Sequence, residues 1–298
     1  MEIRYFFILL AIALLSGCKN EQKQLLTAIE TMEKSIDEAP SSENAQALVE
    51  KYQAYVAQFP DDIDQNSRYL YRAAALDYRM NRFSAALLHL EQAVKDFYES
   101  ENTALCCLFM GDLYQENLRN EECARTTYQA LIQAFPDSES AAKAKEKIAV
   151  SLPSMDERLN VLYTTTYNDS TKRIEYRTAN NYITSSELYA MILPQSERAP
   201  EYLHQAGETA RSIRSFDKAL ELYQWILERY PDYEKAPQAL FLSAFTLEND
   251  LQRLEEAKAL YEQFLKKYPN DDFADDAKVL LDNLGKDEAE IIKSFEQQ

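Results

Sequence analysis

A chain of 298 residues that is 46% hydrophobic, with only 4 glycines and 9 prolines, has enough apolar content for a continuous core and too few turn residues for a β fold or a disordered chain. Its formal charge of -18 repels phosphate backbones, and no basic cluster longer than pairs such as Lys172-Arg173 and Lys266-Lys267 offsets it, which points away from nucleic acid as a partner. With two histidines, His89 and His204, no Gly-rich phosphate loop, no Gly-x-Ser-x-Gly and no zinc-ligand spacing, the chain carries no catalytic constellation, metal site or cofactor site.

In chain order, Arg4 supplies a positive start, Tyr5 to Leu15 is an apolar run too short to span a bilayer, and Leu15-Ser16-Gly17-Cys18 follows at once. Leu-Ser-Gly-Cys in that place resembles the bacterial lipobox. The resemblance implies a lipoprotein signal peptide over residues 1–17, lipid attachment at Cys18 and a membrane-anchored protein. Lys19 stands where an aspartate implies inner-membrane retention, so the outer membrane is the expected address. Residues 18–40 read as a polar tether and a first amphipathic helix, with Leu25, Leu26, Ile29, Met32 and Ile36 at helical spacing and an end near Ala39-Pro40.

From residue 41 the chain repeats itself. The phrase Ala-x3-Tyr-x7-Pro occurs at Ala124/Tyr128/Pro136, Ala219/Tyr223/Pro231 and Ala257/Tyr261/Pro269, with weaker copies at Leu48/Tyr52/Pro60 and Ala86/Leu90/Tyr98. Pro60, Tyr98 and Pro136 are 38 residues apart, as are Pro231 and Pro269, while Pro194 lies 37 before Pro231. A fixed stride of that size predicts stacked helical hairpins, an all-α solenoid. Pro136 to Pro194 is 58 residues, so an irregular helical insertion over 151–193 separates an N-terminal array over 41–150 from a C-terminal array over 194–285. Within the insertion, Asp156–Tyr167 and Ala179–Leu193 show helical spacing around the polar stretch Asn168–Lys172. Gly285 is a candidate C-cap, and residues 286–298 form a charged capping tail. Cys106, Cys107 and Cys123 read as small buried hydrophobes, because a hairpin turning near Arg119 keeps Cys107 and Cys123 too far apart to bridge.

The run Leu203, Ala206, Gly207, Ala210, Phe216, Ala219, Tyr223, Ile226, Pro231 follows the offsets of the tetratricopeptide repeat, which it resembles. The copies at Cys107, Met110, Gly111, Tyr114, Ala124, Tyr128 and at Ala244, Leu247, Ala257, Tyr261 match with one extra residue, expected in the turn. In the copy at Leu70, Ala73, Ala74, Asp77 stands where an aromatic is usual. The long strides and the closing phrases Phe135-Pro136-Asp137 and Tyr230-Pro231-Asp232 resemble BamD-like and CpoB-like bacterial envelope lipoproteins.

The resemblance implies a concave face lined by the first helix of each hairpin. Carried over residue by residue, that face holds Tyr71, Tyr78 and Arg79; Leu105, Leu108, Asp112, Gln115 and Glu116; Glu201, His204, Glu208, Arg211 and Ser212; and Gln238, Phe241, Phe245, Glu248 and Asn249. Phe241 and Phe245 either line the groove or pack on the next repeat, and His204 reads as a surface histidine. Mixed aromatic and acidic side chains suit a peptide segment with apolar anchors and basic residues. The carboxylate clamp of chaperone-binding repeats is disfavoured, since only Arg79 and Arg211 are basic here. The implied function is a non-catalytic, lipid-anchored scaffold facing the periplasm that holds other envelope proteins or peptide segments, as in outer-membrane protein assembly. The alternative is an accessory subunit that binds peptidoglycan or polysaccharide, or coordinates cell-wall enzymes.

Overall fold

The computed structural model describes residues 20–36, 41–148, 152–168 and 170–286. Residues 1–17, Cys18 and nearly all of the 286–298 tail lie outside the described residues. The chain forms two compact units, Met1–Ala149 and Val150–Gln298.

Unit 1 holds α1 (residues 20–36), α2 (Ser42–Gln58), α3 (Ile63–Arg79), α4 (Phe83–Asp96), α5 (Thr103–Asp112), α6 (Glu121–Ala134) and α7 (Glu139–Lys147). From α2 onward each helix packs on the next in sequence, and α5 also meets α7. Ile29 and Ile36 of α1 are buried with Leu48, Tyr52 and Tyr55 of α2 and Tyr69 of α3. The Tyr52 and Tyr69 rings stack at 4.8 Å, and Tyr52 donates to Glu33 of α1 at 2.6 Å, so an apolar seam closed by a charged hydrogen bond ties α1 to α2 and α3.

Unit 2 holds α8 (Met155–Thr165), β1 (Tyr167–Asn168), β2 (Arg173–Ile174), α9 (Tyr176–Ile192), α10 (Ala199–Ser212), α11 (Phe216–Arg229), α12 (Ala236–Phe245), α13 (Leu254–Lys267) and α14 (Ala274–Asn283). Here too each helix packs on its successor. The polar stretch expected only as a separator is the turn of a small antiparallel hairpin, in which Asn168 Oδ1 accepts from the Ser170 and Thr171 amides, both at 3.1 Å. Gly285 follows α14 at φ 76°.

Two kinds of stop recur, one at the end of six helices and one in the turns of four hairpins, α3/α4, α5/α6, α10/α11 and α12/α13. The second helix ends on Phe59, Phe97, Phe135, Leu193, Tyr230 or Tyr268, with φ between -119° and -131° and ψ between 41° and 61°. A following proline disfavours the helical region at the residue before it, which explains five of these ends. The sixth, Phe97, adopts the same geometry before Tyr98, whose ring packs on Phe135 at 5.7 Å. The turn between the two helices instead contains one left-handed residue, Asn81, Arg119, Arg214 or Gln252, at φ 58°, 53°, 62° and 55°. Each stands two positions before its second helix, and none is glycine.

The extra residue in two of the copies is not in the turn. It is taken up inside the first helix as a π-turn, over Leu113–Asn117 after α5 and over Thr246–Asp250 after α12. There the amides of Leu118 and Leu251 reach back five residues, to Leu113 O at 2.9 Å and Thr246 O at 3.1 Å. The wider loop absorbs one residue and lets the turn keep the form it has in α3/α4 and α10/α11.

Candidate partner-binding surfaces

In unit 1 the first helices of the hairpins carry a patch of rings. Tyr71 and Tyr78 stand seven residues apart on α3, and Phe109 of α5 packs on both, with centroid distances of 5.7 and 5.6 Å. Tyr78 is exposed and Tyr71 and Phe109 are half-buried. Burial holds the Tyr71 hydroxyl above its ordinary pKa, helped by the nearby Asp112 carboxylate. Beyond the rings, Lys147 of α7 lies 2.9 Å from Asp112 and 3.7 Å from Glu116.

The sequence-predicted residues divide here. Tyr71, Tyr78, Arg79, Asp112 and Gln115 reach the surface in whole or part. Leu108 does not: it is buried, because α5 is packed on α4, α6 and α7 and has little open surface. The ring beside it, Phe109, takes the surface place and was missed. The open stripe of this helix is Leu105, Phe109, Asp112, Glu116, a spacing of four, three and four that could have located it.

In unit 2 the open side of α10 presents Glu201, Gln205, Glu208 and Ser212. His204 is not a surface histidine; it is 1% exposed, packed between Tyr223 and Tyr233 at ring distances of 6.1 and 6.5 Å. Its Nδ1 lies 3.4 Å from Glu208 Oε2. That neighbour, followed by Lys235 and Arg211, holds the Glu208 carboxyl below the usual carboxylate range against the opposing effect of burial. Arg211 lies over the Phe245 ring at 5.3 Å and reaches Asp250 at 3.3 Å. The two phenylalanines part company: Phe241 is buried and stacked on Phe273 at 4.8 Å, whereas Phe245 remains half-buried beneath Arg211.

A tyrosine from the second helix fixes the polar groups of these faces. Tyr128 donates to Asp112 Oδ1 at 2.6 Å and to Gln115 Oε1 at 3.0 Å, and Tyr261 donates to Glu248 Oε2 at 2.7 Å. The ring can lie that close only over a small residue. A Cβ on Gly111 would meet Tyr128 Cε1 at 2.4 Å, and one on Gly207 would meet Tyr223 Cε1 at 2.4 Å. The result is carboxylates and amides held in place on a face with exposed rings, an arrangement suited to binding. Three cysteines serve packing: Cys106, Cys107 and Cys123 are buried, and burial pushes the Cys106 thiol up to about 12. Among the described residues no group of three or more His, Cys, Asp or Glu side chains could hold a metal ion, and no helix is long and apolar enough to cross a membrane.

The tetratricopeptide-repeat family model matches residues 110–138 and 238–271, the two hairpins that carry π-turns. The fold is that of tetratricopeptide-type helical hairpins, and such repeats are protein-interaction modules. Among solved structures, the chain is similar to one described as the TPR2AB domain:pHSP90 complex of yeast Sti1. The identity is 14%, the match covers 86% of this chain and 97% of that one, and the TM-score is 0.32. No curated protein matches the chain.

Proposed function

We propose that this protein is a non-catalytic scaffold, anchored through a lipid on Cys18 in the outer membrane of a bacterial envelope and facing the periplasm. It holds envelope proteins by peptide segments laid on the first helices of its hairpins. The supporting observation is the Tyr71/Tyr78/Phe109 patch, in which Phe109 packs on both tyrosines, with Asp112, Glu116 and Lys147 alongside. Such a patch supplies apolar anchoring area, and its charged border supplies selection. An acidic chain favours a partner segment that combines apolar anchors with basic residues. Attachment to a membrane confines scaffold and partner to one layer and raises their effective concentration. Outer-membrane protein assembly is the version of this role that the sequence resemblance favours.

Two experiments test it. A photo-crosslinking residue placed at Tyr78 or Phe245 in cells is expected to capture envelope proteins; retention of the protein on purified cell wall without protein adducts would instead favour glycan binding. Cys18→Ser is expected to move the protein from the membrane to the soluble fraction, and persistence in the membrane would reject the lipid anchor.

A further inference from the structure

Between α2 and α4 lies an open cleft of about 530 Å³, with Val56, Ala57 and Pro60 on one wall and Gln92, Asp96 and Phe97 on the other. That volume falls in the range of sites that enclose a ligand group. Val56 and Phe97 are buried side chains, so the inner lining is apolar. Leu88, one turn before Gln92 on the same line of α4, is 65% exposed and extends the apolar border.

The repeat explains why the space is open. A stride of 38 residues sets Ala57, Pro60 and Phe97 against Lys95, Tyr98 and Phe135, and α2, α4 and α6 end in the same geometry at Phe59, Phe97 and Phe135. In the α4/α6 pair, Tyr98 is half-buried and its ring packs on Phe135 at 5.7 Å. In the α2/α4 pair the small Pro60 takes the place of that tyrosine and Ala57 the place of Lys95, and among the described residues no ring packs on Phe97. In unit 2 the matching positions are joined from within: Tyr230, in the place of Phe97, donates to Pro194 O, in the place of Pro60, at 3.1 Å. Phe97 has no hydroxyl with which to do the same.

We propose that the α2/α4 cleft takes a tyrosine side chain of a partner polypeptide, with a lysine or arginine next to it in sequence. The ring rests on Phe97 as Tyr98 rests on Phe135. The side-chain amides of Gln53 and Gln92, which also line the cleft and form no hydrogen bond among the described residues, meet the phenol hydroxyl and the adjoining peptide group. The neighbouring cation follows from Asp96, the one charged side chain of the lining, which has no cationic partner among the described residues. A lysine or arginine beside the tyrosine is attracted there and an acidic residue is repelled. The cleft belongs to α2 and α4 and the ring patch to α3 and α5, so this is a second contact surface that does not require the first.

The test uses the full chain with methyl-labelled valine, Val56 being identified by the loss of its signal in Val56→Ile. Acetyl-Tyr-Lys-amide is expected to shift that signal saturably. Acetyl-Leu-Lys-amide, which lacks the ring, and acetyl-Tyr-Glu-amide, which reverses the charge, are each expected to bind at least about threefold more weakly. Pro60→Tyr supplies from the chain itself the ring that Tyr98 supplies one repeat later, and Phe97 shows that the helix end does not need a proline, so this variant is expected to fold and to lose the response. Asp96→Asn, at an exposed position, is expected to erase the preference for lysine over glutamate, and with the probes it decides the matter should Pro60→Tyr fail to fold. Equal or tighter binding of the leucine or glutamate probe, an undiminished response in folded Pro60→Tyr, an unchanged preference in Asp96→Asn, or no saturable shift with any probe would overturn the proposal. Crosslinking through Tyr78 does not depend on these residues, so adducts that persist while the dipeptides fail would reject the cleft alone.

Discussion

Replacing the repeat tyrosines by phenylalanine one at a time separates hydroxyls that stabilise the free protein from the one that does not. Tyr128→Phe removes a 2.6 Å bond to Asp112, and Tyr261→Phe a 2.7 Å bond to Glu248, both to carboxylates. Hydrogen bonds to charged groups contribute roughly 1.5–3 kcal/mol, and both acceptors are only half-buried, so water recovers part of the loss and a cost of about 1.5 kcal/mol is expected for each. Tyr223→Phe removes a buried hydroxyl that donates to no carboxylate, so no comparable bond is lost. Relief of its desolvation is worth up to about 1–3 kcal/mol, so this variant is expected to match or exceed the parent. For units near 150 residues, about 2–4 °C accompanies each kcal/mol, giving midpoints lower by roughly 3–6 °C for the first two variants and unchanged or raised for the third. Far-UV circular dichroism follows both units, and fluorescence of Trp225, the single tryptophan, follows unit 2. A Tyr223→Phe protein destabilised as much as Tyr261→Phe would refute the reasoning, because its hydroxyl would then be satisfied within the chain.

Three further outcomes are expected. Gly207→Leu places a Cβ 2.4 Å from Tyr223 Cε1, and overpacking of about 1–3 kcal/mol should outweigh roughly 1 kcal/mol of regained helix propensity; Gly207→Ala should lose less, as Ala244 already faces Tyr261, and an unlowered urea midpoint for the leucine variant would show that the ring yields freely. Arg119→Gly relieves a left-handed backbone at φ 53° on an exposed residue and should raise stability by about 0.5 kcal/mol, with a lowered midpoint counting against strain there. His89 is buried 3.2 Å from Asp77, whose other oxygen is bonded by Arg82, and burial holds its pKa below the ordinary value despite that carboxylate. Its contribution to stability is therefore complete above the unfolded pKa of about 6.5 and is lost as pH falls from there through the folded pKa. His89→Gln should flatten the loss of unit 1 stability between pH 7.5 and pH 5.5, and a steeper loss in the variant would mean that the imidazolium is the favoured form.

The stride of the prolines, the Ala-Tyr-Pro phrase and the scarcity of glycine were enough to settle a stack of helical hairpins, because each hairpin is closed by contacts within about 30 residues of sequence. Helix ends were legible for the same reason: a proline acts on the residue next to it. What the sequence did not determine was rotation. One residue turns a helix face by about 100°, so whether Leu108 or Phe109, and whether Phe241 or Phe245, looks outward depends on how each helix beds against both neighbours. The same packing buried His204, moved the extra residue of two repeats out of the turn and into a π-turn, and forced Arg119, Arg214 and Gln252 into left-handed backbone that no local pattern announces. That Tyr223 lacks the carboxylate acceptor of Tyr128 and Tyr261 belongs to this second class, since it appears only when the hydroxyl of one helix is set beside the side chains of another.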